Sequence, residues 1–112
     1  GGAVSTISLL DPSGAAIVIP DKAIITQVYI DIVTVMTSTG NNGTIALTCN
    51  SSGDLLAAVD ADTLSGVTAG VPVGTAATMV KATAARTLSV AIATNALLSG
   101  KFEVFVDYVQ ST

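Results

Sequence analysis

The stretch TQVYIDIVTVMTSTGNNGTIALTCN, Thr26 to Asn50, holds two β-branched runs on either side of an Asn-Gly pair, and its single charge is Asp31. β-Branched side chains are stiff at χ1 and fit a pleated surface better than a helix. Asn42-Gly43 accepts the positive φ angles that a tight two-residue turn requires. The segment therefore predicts a β-hairpin. Within it, Ile45, Leu47 and Cys49 alternate with Thr44, Ala46 and Thr48, the period-two pattern of a half-buried strand.

The same period recurs further along. Leu88, Val90 and Ile92 alternate with small or polar residues, and Phe102, Val104, Val106 and Tyr108 alternate with Lys101, Glu103, Phe105 and Asp107. Turn residues cluster at Asp11–Gly14, Pro20–Lys22, Gly40–Gly43, Ser51–Gly53, Ser65-Gly66 and Ser99-Gly100. These signals predict strands near 5–10, 15–19, 24–37, 44–49, 54–60, 87–94 and 101–110, with an eighth near 76–82. Thr63 to Gly74 reads as a long loop. The Ala-rich Thr75 to Arg86 fits a strand, an irregular connection or a short helical turn. The expected fold is all-β: one domain over residues 1–112, an antiparallel β-sandwich of jelly-roll type with seven to eight strands.

The 112 residues are 50% hydrophobic but only 11% charged, with two Tyr, two Phe and no Trp. Soluble domains usually carry about 25% charge. Such a chain more comfortably covers part of its surface against partners, so an oligomer or a component of an assembly is expected. Four cations (Lys22, Lys81, Arg86 and Lys101) against a net charge of −4 provide no basic patch for nucleic acid. No apolar run reaches the roughly 18 residues of a membrane span, and four aromatics cannot build the two girdles of a membrane barrel. No signal peptide is recognised, and a chain nearly complete as synthesised is expected. Gly1 to Ser5 fits a lipidation pattern only loosely.

Catalytic chemistry has few candidates. There is no histidine, which removes the commonest general base and metal ligand together. Cys49 is alone and sits in an alternating strand, as a small buried hydrophobe would. Neither a phosphate-binding loop nor a dinucleotide fingerprint occurs. A carboxylate pair could hydrolyse glycosides, but the aromatic platforms of such clefts are missing. Asp54, Asp60 and Asp62 could offer oxygens to calcium, yet the spacing lacks the distal Glu of a calcium loop, so solvated acids at a strand end are the expected reading. No catalytic, cofactor or metal site is therefore expected, and the chain reads as a non-enzyme. The sequons Asn42-Gly43-Thr44 and Asn50-Ser51-Ser52 arise easily by chance in a Ser- and Thr-rich chain. Tyr29 and Tyr108 could stack on a sugar, but their alternating strands favour partial core burial.

Three segments carry a resemblance. IPDKAIITQVYIDIVTVMTSTGNNGTIALTCN, LLAAVDAD and GVPVGTAATMVKATAARTLSVAIATNALLSGKFEVFVDYV are similar to small virion proteins of tailed bacteriophages. In that family an IPxGAIIT entry leads a long strand, a TIAL strand follows, and an LTAGKLNLFVEYV-like strand closes the domain. The matching residues here are Ile19-Pro20 to Thr26, Thr44 to Leu47, and Leu97 to Val109. The likeness spans roughly residues 15–110. It departs at Val67 to Pro72, where relatives more usually carry a GLHEGIP loop.

The resemblance implies a capsid decoration (cement) protein at the capsid surface of a virion, commonly a homotrimer of β-sandwich or jelly-roll subunits. Its partners would be the major capsid protein or other virion proteins. The alternative is a fibre, spike or adhesin module that binds a host-surface glycan or protein. In the closing strand, Phe102, Val104, Val106 and Tyr108 are expected to fill the core. Phe105 and Val109 stand among charges on the other face and are expected at the oligomer contact.

Overall fold

The computed structural model describes residues 4–111, so Gly1, where the lipidation pattern begins, lies outside the described residues. The chain is all-β. Its strands are β1 (Ser5–Ser8), β2 (Val18–Ile19), β3 (Ala23–Ser38), β4 (Thr44–Thr48), β5 (Leu56–Asp60), β6 (Gly66–Val73), β7 (Val80–Lys81), β8 (Arg86–Thr87), β9 (Ser89–Ala93) and β10 (Leu97–Gln110). Three of these have two residues and seven have four or more; the strand expected near 15–19 shrinks to the two residues of β2, and β6 stands where a loop was expected. The helical residues form short 3-10 turns at 39–41, 61–63 and 76–78.

Every strand pairing is antiparallel. One sheet has the order β1-β9-β4-β5. The other has the order β10-β3-β6, with β7 beside β3, and β2 and β8 form a small ribbon. Ile25, Val28, Ile30, Ile32 and Met36 of β3 share one buried cluster with Ile45 and Leu47 of β4 and Val90 and Ile92 of β9. Two antiparallel sheets with a common core is the layer arrangement that a sandwich uses. Each fully buried Ile, Leu or Val contributes about 1.5–3 kcal/mol.

β3 organises this core through alternation. Buried residues recur at every second position from Ala23 to Ile32, interrupted once. Asp107 pairs with Gln27 and Tyr108 with Ile25, which leaves Thr26 as an extra residue in β3. This bulge lets both Ile25 and Val28 point inward.

Two expectations from the sequence are corrected here. Thr26 to Asn50 is not a hairpin. β4 lies between β9 and β5, so both of its edges are taken and neither is left for β3, which pairs with β10 along one edge and with β6 and β7 along part of the other. The link instead carries the chain from one sheet to the other. Its positive φ angles are at Gly40 and Asn41, not at Asn42-Gly43. Gly43 is needed for space, since a Cβ there would lie 2.6 Å from the Ser38 Cβ and 2.9 Å from the Asn95 carbonyl oxygen.

The stretch from Thr63 to Gly74 is not a loop, because it contains β6. Residues 70–72 of β6 stand opposite the single residue Val28, between the pairs Ala69–Tyr29 and Val73–Gln27. Pro72 thus sits in an irregularity, where its missing N–H forfeits no ladder bond. Between Thr75 and Arg86 the chain forms a 3-10 turn, then β7, then a short connection into β8.

Candidate functional site

The most distinctive surface follows β10. This strand is long because β-branched and aromatic residues alternate along it, and β3 is its hydrogen-bonded neighbour. Paired residues of an antiparallel ladder share a face. Val104 faces Ile30 and Val106 faces Val28 on the inner side, while Phe105 faces Tyr29 and Glu103 faces Asp31 on the outer side. The Phe105 and Tyr29 rings stack, with centroids 5.0 Å apart and planes 16° from parallel. Around this pair, Val67 and Val73 of β6 and Val33 and Val35 of β3 are exposed. The outward face of the sheet is therefore apolar at its centre, with the carboxylates of Asp31, Glu103 and Asp107 among its rows.

The inner side of β10 differs from the expectation. Phe102, Val104 and Val106 are only half-buried against the core, and Tyr108 is 44% exposed. They do not fill a closed core because a groove runs beneath the strand. Adjoining hollows of about 270, 540 and 300 Å³ follow β10 from Leu97 to Tyr108. Ile7, Leu9 and Ile17 form part of the opposite wall. On its other side β10 ends the sheet order, so among the described residues no strand pairs with its outer edge.

Phe105 and Val109, the expected contact residues, are both exposed, at 39% and 55%. Both lie on β10, but the stack that covers part of Phe105 was not readable from its neighbours in sequence. The aromatic partner Tyr29 comes from another strand, and only the register brings the two rings together.

The acidic residues considered for calcium serve the backbone. Asp54 accepts hydrogen bonds from the amides of Cys49 (2.7 Å), Asn50 (2.8 Å) and Ser51 (3.1 Å), closing the turn between β4 and β5. Asp60 accepts from the Asp62 amide at 3.0 Å and caps the following 3-10 turn. Asp62 accepts from the Ser38 amide at 3.0 Å and from the Ser38 hydroxyl, which ties the end of β3 to that turn. Among the described residues, no three His, Cys, Asp or Glu side chains are grouped to hold a metal ion.

Asn50, in one of the two sequons, is similarly engaged. Its amide nitrogen donates to the Lys81 carbonyl at 2.8 Å, and its oxygen accepts from the Thr83 amide and the Arg86 guanidinium at 3.2 and 3.1 Å. Cys49 is buried; burial pushes its thiol pKa up, and the Asp54 carboxylate adds to the shift. No helix among the described residues is long and apolar enough to cross a membrane. Comparison of the chain with protein-family models, with curated proteins and with solved structures found no match.

Proposed function

We propose that the chain is a structural protein of a bacteriophage particle, which decorates the outside of the capsid shell as an oligomer and stabilises it by adhesion. The observation that carries this reading is the outward face of the β6-β3-β10 sheet. There the exposed Val33, Val35, Val67 and Val73 accompany the stacked Tyr29 and Phe105. An apolar sheet face on a low-charge domain suits contact with another protein surface. The resemblance to small virion proteins points the same way. The partner would be the major capsid protein, and no chemistry, cofactor, nucleic acid or membrane is required.

The mechanism is one of linked contacts. A decoration protein bridging neighbouring shell subunits must break several contacts before it can leave, and each contact raises the effective concentration for the next. The test is to add purified protein to undecorated shells from the phage that encodes it. Saturable co-sedimentation and a raised temperature of shell disruption are expected. Shells that neither bind the protein nor gain stability overturn the reading.

A further inference from the structure

We propose that two copies of this chain pair through the outer edge of β10, antiparallel across a two-fold axis at Val104, so that the sheets of both subunits join into one. This inference is independent of the capsid reading. It starts from an edge with no strand partner among the described residues. β10 is fourteen residues long and closes the order β10-β3-β6, and from Phe102 to Asp107 its pairing with β3 has no register shift. An edge strand presents backbone donors and acceptors to any extended strand that can reach it.

Charge selects the partner and the register. An antiparallel pairing of β10 with itself places residues whose numbers have a fixed sum opposite each other. With Val104 on the axis, Lys101 of each copy lies across from Asp107 of the other, giving two opposite-charge pairs. Moving the axis to Glu103 puts that carboxylate against its own copy. Moving it to Phe105 sets Glu103 against Asp107, again like against like, which is destabilising for residues directly opposite in a ladder. An axis at Phe102 brings Lys101 to Glu103, but shortens the overlap from Leu98–Gln110 to Leu97–Asp107. Val104 is therefore the centre that combines the longest overlap with matched charge.

The apolar side chains fit the same register. Phe102 comes opposite Val106 on the inner side, where both are half-buried along the groove. The second copy's strand extends the wall of that groove and covers side chains that one subunit leaves partly open. Phe105 and Val109 lie within the contact, as their sequence pattern suggests, but the symmetry is two-fold and not the three-fold expected from the resemblance.

The test is a charge-reversal cycle read by light scattering and sedimentation. Wild-type protein at about 100 μM should have twice the chain mass of 11.1 kDa. Lys101→Asp and Asp107→Lys should each weaken association about tenfold or more, since each turns two attractive contacts into repulsive ones. The double variant Lys101→Asp/Asp107→Lys should restore it to within about threefold of wild type. Within one chain the two positions are six residues apart along an extended strand, about 20 Å, so rescue can arise only between chains. Thermal melts of each variant establish that the subunit is folded. A monomer or trimer of the wild-type protein, or a folded double variant that fails to regain the dimer, overturns the inference.

Discussion

Replacing Gly70 by Ala should be among the most damaging single-methyl changes in this protein. Gly70 lies where β6 approaches the chain just before β5. A Cβ there would overlap the Leu55 carbonyl oxygen and lie 3.0 Å from the Val28 Cγ1 and 3.1 Å from its Cβ. Leu55 and Val28 are buried, so neither can give way into solvent. The same Leu55 carbonyl accepts the Val71 amide at 2.8 Å, a hydrogen bond that links the two sheets. Overpacking of this kind costs about 1–3 kcal/mol. A lost backbone bond adds about 1–2 kcal/mol, and the reduced entropy of the unfolded alanine chain offsets about 0.4–1 kcal/mol.

The net is about 2–4 kcal/mol, a large share of the roughly 5–15 kcal/mol that stabilises a domain. For a chain of this size that lowers the melting temperature by about 10–20 °C. Gly14→Ala is the control. Its φ of +91° is unfavourable for alanine, but nothing lies within 4 Å of the added methyl, so a loss of only about 1–2 kcal/mol is expected. Urea unfolding followed by far-ultraviolet circular dichroism measures both. A Gly70→Ala protein within about 0.5 kcal/mol of wild type would refute the close approach of the two sheets at this point.

Asp54→Ala removes the acceptor of three backbone amides in the turn between β4 and β5. It should cost about 2–3 kcal/mol by urea unfolding, with Asp54→Asn recovering part of the loss. Cys49 should resist thiol reagents in the native protein at pH 8 and react only on unfolding, which a colorimetric thiol assay reads directly. Because burial raises the Cys49 pKa, the folded state holds its proton more tightly than the unfolded chain does. The associated stability is present below the ordinary thiol value of 9.0 and is lost as pH rises above it. Cys49→Ala should therefore flatten the fall in stability above pH 9.

Period-two alternation is a local property, and it located the strands well. It placed β3, β4, β9 and β10 and set Phe105 outward, because the pleat fixes which side chains share a face. Partner choice is not local. The Asn-Gly signal at 42–43 resembles a hairpin turn, but β4 has both edges filled, by β5 and by the distant β9. β6 was hidden because Gly66, Gly70 and Pro72 read as loop punctuation. In the fold Gly70 is there for a close approach, and Pro72 stands in the irregular part of the ladder. The candidate surface was legible to the same extent. The outward Phe105 followed from alternation, whereas its stack on Tyr29 and the groove beneath Phe102 and Val104 depend on register and sheet order.

The proposal that this domain clads a capsid is tested most directly by a density map of the particle that contains it. The account predicts copies of the all-β subunit over the outer surface of the shell, repeated with the shell's symmetry, with apolar sheet surface against neighbouring protein. A map that shows the shell bare, or places a few copies on the tail or fibres alone, would contradict it.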